Sequence, residues 1–551
     1  MSGSVSFQPG GVNDWVPVTI NRPLTVGDQL YADSNARAEI HVPGTVFRIG
    51  SQTAFAFMSL DDRSTQVRLS EGTLNVRVRR LNENLEVDTP NLAFTIRSPG
   101  EYRIDTNPDN YETFVTVRDG EGQVTGNAGT FRVHVNEQAV VTGQDATQFN
   151  VNQAAAYDDF DSWVMTRDRR ENLVRSSARY VSQDMVGYED LDQYGFWRSV
   201  PEYGQCWVPR DVPVGWAPYH DGHWAWIEPW GWSWVDDEPW GFAPFHYGRW
   251  AHFDGFWGWV PGPVTVAPVY APALVAWVGF GNGLSASFGF GGGPVVGWFP
   301  LGPRDVYIPA YSASQNYVSR VNVTNTTVIN KTNITNVYNN YVQTKTISTV
   351  NYANRSVPGA LVAVPQNALV TARPVQQVAI KVQANQINAV KTVDSAPRVA
   401  PQGASVLGHS PSVFAGAPRP PAAVLRKPVV AKTTPSACSS AVSTTPDVTG
   451  TEPGAAHSDP TAAADCPRRS CRYTTSRHGC CSGASGDTAG AAYTASSPRG
   501  CGTPDDIAAI CAPTSDSKPE RTPARSTGAA AARRESCTVA ASAAATAITS
   551  V

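Results

Sequence analysis

Fourteen of the chain's 16 tryptophans fall between Trp197 and Trp298, and they recur in register. Tyr194-Gly195-Phe196-Trp197 matches Asp221-Gly222-His223-Trp224 and Tyr247-Gly248-Arg249-Trp250. Gly204-Gln205-Cys206-Trp207-Val208 matches Gly231-Trp232-Ser233-Trp234-Val235, and Gly258-Trp259-Val260-Pro261 closes a third, shortened unit. Units two and three also share Gly215-Trp216-Ala217-Pro218-Tyr219-His220 and Gly241-Phe242-Ala243-Pro244-Phe245-His246. The period of 26–27 residues predicts two short strands per unit, with Gly and Pro in the turns. One unit cannot bury its rings alone, so the copies must share a core.

Two readings of the rings follow. Either they are that core, or some stay exposed and stack on a flat ligand such as a sugar ring. Trp216/Phe242 and Tyr219/Phe245 exchange one ring for another at matched positions, which suits a core. Trp226, Trp230 and Trp232, beside His223, lack such a match and are the candidate ligand-binding residues.

Residues 1–145 read as an all-β domain. Ala38, Ile40 and Val42 alternate, as do Leu74, Val76 and Val78, then Val115 and Val117, then Phe131, Val133 and Val135. Turn signals every ~8–12 residues mark a sandwich, barrel or roll. The order Leu24-Thr25-Val26-Gly27-Asp28, Ala36-Arg37-Ala38-Glu39-Ile40, Leu69-Ser70-Glu71-Gly72-Thr73-Leu74, Val87-Asp88-Thr89-Pro90, Pro99-Gly100-Glu101-Tyr102 and Val115-Thr116-Val117-Arg118-Asp119-Gly120 resembles a FecR-type domain over about residues 16–125. The whole order to about residue 310 is similar to bacterial exported proteins. These pair a FecR-like domain with a Trp-rich repeat domain of unknown function, the 6600 group. Tyr188-Glu189-Asp190-Leu191, Pro229-Trp230-Gly231-Trp232 and Val235-Asp236-Asp237-Glu238-Pro239-Trp240-Gly241-Phe242 carry that likeness. The resemblance implies a β fold and a periplasmic or envelope location. FecR proteins relay signals through a transmembrane helix; no such apolar stretch occurs here, so the sensor role is not implied.

Residues 150–193 are expected to form a helical linker. Asp158 and Asp159 cap a helix whose Phe160, Trp163, Val164 and Arg167 share a face, and Arg167-Asp168-Arg169-Arg170-Glu171 reads as a solvated charged turn. The repeat module is placed at 194–312. Residues 313–430 are Asn/Thr-rich, then Pro-rich, and read as an extended arm, with Val321 to Asn340 as an extended strand or one edge of a repeat. Residues 431–551 lack Leu, Phe, Trp, Met, Asn and Gln and hold eight of the nine cysteines. That tail is expected to be disordered, as a natural tail or as a frameshift product. A strand starting near Val5 leads us to expect further chain, with a secretory signal, upstream of Met1.

The fold class is therefore mainly β: a FecR-like domain, a short helical linker, a Trp/Gly/Pro-rich repeat module and a disordered C-terminal region. A net charge of −4 gives no basic field for nucleic acid. Catalytic arrangements do not assemble. His220, His223, His246 and His252 lie near Asp236, Asp237 and Glu238, but His223 is Arg249 in the next unit. Cys206 matches Ser233 and reads as a filler. Gly279-Phe280-Gly281-Asn282-Gly283 and Gly289-Phe290-Gly291-Gly292-Gly293 lack dinucleotide spacing. No cofactor and no metal is expected. The function expected is a non-catalytic envelope protein that binds or scaffolds a protein; the alternative is a glycan- or peptidoglycan-binding module.

Overall fold

A computed structural model describes the chain except for residues 82–83, 128, 146, 280–293, 329–330, 345–350, 383–390, 394–395, 398, 410–416, 434–545 and 550–551. It is mainly β. The glycine-rich segments beyond Gly279 and nearly all of the 431–551 tail lie outside the described residues.

The N-terminal strands form two layers. One runs in the order β2 (Val16–Pro17), β1 (Val5–Gln8), β4 (Gln29–Ala32), β7 (Thr53–Leu60), β8 (Ser64–Val78), β9 (Asn84–Asp88), β10 (Ala93–Ile96), β13 (Glu121–Gly126) and β14 (Gly129–His134). The other pairs β5 (Ala38–Val42), β6 (Thr45–Ile49), the same β8, β11 (Gly100–Asn107), β12 (Glu112–Asp119), β15 (Glu137–Thr142) and β16 (Gln148–Gln153). Among these pairings only β8 with β9 is parallel.

β8, at 15 residues, serves both layers: its first half pairs with β7 and its second with β6 and β11. The crossing lies at Gly72, where φ is +94° and a Cβ would come within 2.4 Å of Thr53 Oγ1. Only glycine fits both demands. Phe47, Phe55, Phe57, Val76 and Ile104 fill the space between the layers. The alternation in the sequence had marked β5, β8, β12 and β14; β16 is an addition, falling where the linker was expected. Thr546–Thr549 also form a strand, paired with β3 (Pro23–Leu24) and β5, within the segment expected to be disordered.

Helix α1 (Asp159–Asn172) begins at Asp158, whose side chain accepts from the Asp161 backbone N–H in a capping box. It buries Phe160, Val164, Arg167 and Glu171, while Trp163 is half-buried. Arg167 to Glu171 is therefore helix and partly interior, not a solvated turn.

Three hairpins follow at the three repeat units: β17 (Gly195–Val200) with β18 (Gly204–Pro209), β19 (Gly222–Ile227) with β20 (Gly231–Asp236), and β21 (Arg249–Phe253) with β22 (Phe256–Val260). A fourth, β23 (Val275–Gly279) with β24 (Val295–Pro300), was not read from the sequence. Each hairpin sets one tryptophan opposite another: Trp197 and Trp207, Trp224 and Trp234, Trp250 and Trp259, Trp277 and Trp298. The recurring Gly of Gly-Xaa-Trp has a reason here. A Cβ on Gly195, Gly222 or Gly248 would lie 2.3, 2.7 or 2.3 Å from the indole of Trp207, Trp234 or Trp259. The four hairpins share one core.

The segment expected to be an extended arm is instead folded onto this body. Ser314 caps helix α2 (Gln315–Val323), which buries Tyr317, Val318 and Val321. Residues Lys331–Thr344 are also helical, correcting the strand expected from Val321 to Asn340. The buried asparagines work as brackets: Asn322 Oδ1 accepts from Arg249 Nη2 at 3.0 Å and its amide donates to Tyr307 O at 2.8 Å. Such long-range amide partners are not legible in composition. β25 (Val362–Pro365) adds to β24, and Asn354 donates to Trp250 O and Pro300 O.

Candidate functional site

The four candidate ligand residues do not form an open surface. Trp230 and Trp232 are buried at 4% exposure each, His223 is buried at 6%, and Trp226 is half-buried. Trp226 meets Trp232 edge-on at 5.4 Å, and its Nε1 donates to Glu228 at 2.8 Å. Trp230 packs on Tyr270. The missing repeat match had pointed outward, but Trp230 and Trp232 belong to the core and Trp226 packs against it. His223 is covered by the helix Gly403–Leu407, which packs on β19. Burial, aided by Arg22 and by the neighbouring His409 imidazole, pushes its imidazole down to about 3, so it is neutral.

The tryptophans as a set are interior. Twelve of the 16 are buried, Trp163, Trp197, Trp216 and Trp226 are half-buried, and none is exposed. Several indole N–H groups find fixed acceptors: Trp207 on Leu191 O, Trp234 on Asp236 Oδ2, Trp259 on Tyr247 O and Trp298 on Tyr219 O.

The other chemistry-bearing groups are dispersed. His246 is fully buried and bonded to Ala271 O, His220 is bonded to Gly359 O, and His252 is exposed. Asp236 is buried while Asp237 is open to solvent. The Cys206 thiol is buried and pushed up to about 12, far from a nucleophile's range.

A charged cluster missed in the sequence sits where α1 docks on the sandwich. Arg48 binds Glu39 Oε2 at 2.6 Å, Asp168 at 2.8 Å and Glu171 Oε1 at 2.8 Å. Arg167 binds Glu39 Oε1 at 2.7 Å, and His41 Nε2 lies 3.0 Å from the same oxygen. Arg79 joins Glu171 to Glu189, and Arg170 binds Asp190 at 2.8 Å. Glu189 and Asp190 lie on the turn that leads to hairpin one. The cluster is thus the joint between the sandwich and the tryptophan module. Burial works against the Glu39 charge, yet His41 and Arg48 hold its carboxyl well below the usual range.

Glu39, His41 and Glu171 bring their ligand atoms within 4.8 Å of one another. Both Glu39 oxygens and both Glu171 oxygens already take arginine donors. A metal ion would have to displace guanidinium groups, so the cluster is an ionic joint rather than a metal cradle. One signal was available: Arg167 and Glu171 stand one helical turn apart on the buried face. Their partners, 92 to 128 residues away, were not visible.

A family model described as "Family of unknown function (DUF6600)" matches residues 188–305, the tryptophan hairpins. No curated protein matches the chain. Two crystal structures of a candidate anti-sigma factor from Parabacteroides distasonis ATCC 8503, at 2.50 and 1.65 Å resolution, are similar at 17% and 16% identity. Each match covers 25% of this chain and under two-thirds of that one, 63% and 64%, with TM-scores of 0.22.

Proposed function

We propose that this chain is a non-catalytic scaffold of the bacterial cell envelope that binds other proteins. The observation that carries the reading is that none of the 16 tryptophans is exposed. Sugar-stacking needs a strip of open rings, and the rings here are used on the core. The last sandwich strands do carry exposed apolar side chains: Val135, Phe149 and Val151 are 49%, 44% and 41% exposed. Apolar groups beside strand edges suit a protein partner. The envelope location rests on the FecR-like order of residues 16–125. Cells expressing the full-length gene should carry the protein in the envelope fraction, and crosslinking there should trap protein partners. A cytoplasmic protein, or sedimentation with peptidoglycan that Trp226→Ala abolishes, would overturn the reading.

A further inference from the structure

Both layers of the sandwich end at one place, on β14 in one layer and β16 in the other. Among the described residues β14 pairs only with β13, and β16 only with β15. All six residues of β16 are exposed. Phe149 and Val151 stand opposite Val141 and Ala139 of β15, which are buried, so they lie on the core face. Phe149 stacks on Phe131 of β14, with centroids 4.2 Å apart. The core therefore runs to the end of the sandwich and stops there, half open.

Proteins usually blunt such an edge with Lys, Pro, a bulge or a covering element. The strand Gln148-Phe149-Asn150-Val151-Asn152-Gln153 has no charge and no proline, and its register with β15 is unbroken.

We propose that β16 pairs antiparallel with β16 of a second copy, about a two-fold axis at Asn150. Backbone geometry and side-chain matching together select that register. Ala154 N–H donates to Asn136 O, so even-numbered residues of β16 turn their backbone groups toward β15. Phe149, Val151 and Gln153 then turn theirs to the free edge. Two such edges mate only when odd residues face odd residues. With Asn150 on the axis, Phe149 faces Val151 of the copy and Val151 faces its Phe149, exchanging backbone hydrogen bonds. Gln148 meets Asn152, and Asn150 meets Asn150. Apolar meets apolar, amide meets amide, and no like charges oppose. The axis is normal to the sheet, so it keeps each layer in its plane. It carries β14 and Phe131 toward their own copies, closing the open core. This is an isologous contact, which closes at two copies.

The inference deepens the scaffold reading by naming one partner, the chain itself. The test exploits the self-opposed residue. Asn150 is exposed, so a charge there leaves the monomer fold intact. In the pair its side chain faces its own copy across adjacent strands, where like charges destabilise. Sedimentation velocity of the full chain over a concentration series should show a dimer. Asn150→Lys and Asn150→Glu should each weaken it by about tenfold. An equimolar mixture of the two should regain the wild-type dimer. Circular dichroism and thermal unfolding check that each variant is folded. A wild-type monomer at every concentration overturns the pairing, and so does a dimer indifferent to both charges. So does a mixture of folded variants that stays apart. Crosslinks to other envelope proteins would still support the scaffold reading in each of those cases.

Discussion

The sandwich fills its core with Val, Ile, Leu and Phe from alternate positions of its strands, whereas the tryptophan module fills its core with indoles from hairpins of five or six residues a strand. An indole buries roughly 150–250 Å², so a short strand can supply what a longer aliphatic one does. The indole also brings an N–H and a large rigid outline. The module must therefore place an acceptor and leave a hole for each ring. Trp234 shows both: Asp236 takes its N–H, and Gly222 makes room for its six-membered ring. An aliphatic core needs neither. The comparison teaches that the aromatic region is the less forgiving of the two.

Trp234→Ala is the strongest way to break that view. Trp234 is fully buried against Trp224, Tyr219, Phe245 and Trp298. Its loss should cost about 3–5 kcal/mol, with a red-shifted tryptophan emission and early thermal unfolding of the module. Val76→Ala in the sandwich, also fully buried, should cost less than half as much. Equal losses would erase the contrast.

The joint comes next. Arg48→Met leaves Glu39, Asp168 and Glu171 short of a cation in a buried place. The expected cost is about 3 kcal/mol, and adding Glu39→Gln should restore part of it. Urea unfolding should also separate into two transitions if the cluster couples the regions. A single unchanged transition would show that the coupling runs elsewhere, for example through Asn21, which donates to Asp236 O and Glu238 O.

The glycine holes give a smaller effect. Gly222→Ala should cost about 1–3 kcal/mol, because the new methyl meets Val235 O at 2.3 Å and the Trp234 ring. Gly403→Ala, where nothing lies within 4 Å, should be neutral or slightly stabilising. Similar losses at both sites would mean that backbone entropy, not ring contact, explains the Gly-Xaa-Trp repeat.

Much of this was legible because it is periodic. The 26–27-residue repeat placed three hairpins, and alternation placed β5, β8, β12 and β14 of the sandwich. The fourth hairpin had a weak signal: Trp277 continues the spacing of Trp197, Trp224 and Trp250, and Gly297-Trp298-Phe299-Pro300 echoes Gly258-Trp259-Val260-Pro261. A long interval between its strands hid it. The ionic joint was hidden for another reason. Glu39, Arg48 and Glu171 are charged residues at inward positions, where pattern reading expects solvent, and their burial depends on partners from distant chain. The same holds for Asn322, Asn325 and Asn354, whose amides bind backbone far away. Repeat logic also misled. Trp230 and Trp232 lack counterparts in the other units, yet both are buried, Trp230 against Tyr270 and Trp232 against Trp226.

The smallest net effect expected is a pH dependence in which buried carboxyls and His41 oppose the buried imidazoles of the tryptophan module. At the joint, burial lowers the His41 pKa, but the hydrogen bond and charge of Glu39 outweigh it and raise it above 6.5. That stabilisation is complete below about 6.5 and is lost as pH rises through the raised value. Burial, partly offset by Arg170, raises the Asp190 carboxyl to about 7. The native state then holds a proton that the unfolded chain has released, so stability falls as pH rises from about 4 to 7. Asp88 in the sandwich, raised to about 8 by burial and Glu86, acts in the same direction. In the tryptophan module, burial lowers His223 to about 3 and His246 to about 4. Below about 6.5 the unfolded chain takes up protons that these buried rings refuse, so stability falls with pH there. Thermal unfolding should therefore shift upward from pH 8 to 6.5 and gain less, or reverse, below that. His41→Gln should shrink the gain between pH 8 and 6.5 while leaving the acid side unchanged. A melting temperature that falls from pH 8 to 6.5 in the native protein would show that the joint does not bind protons as its geometry requires.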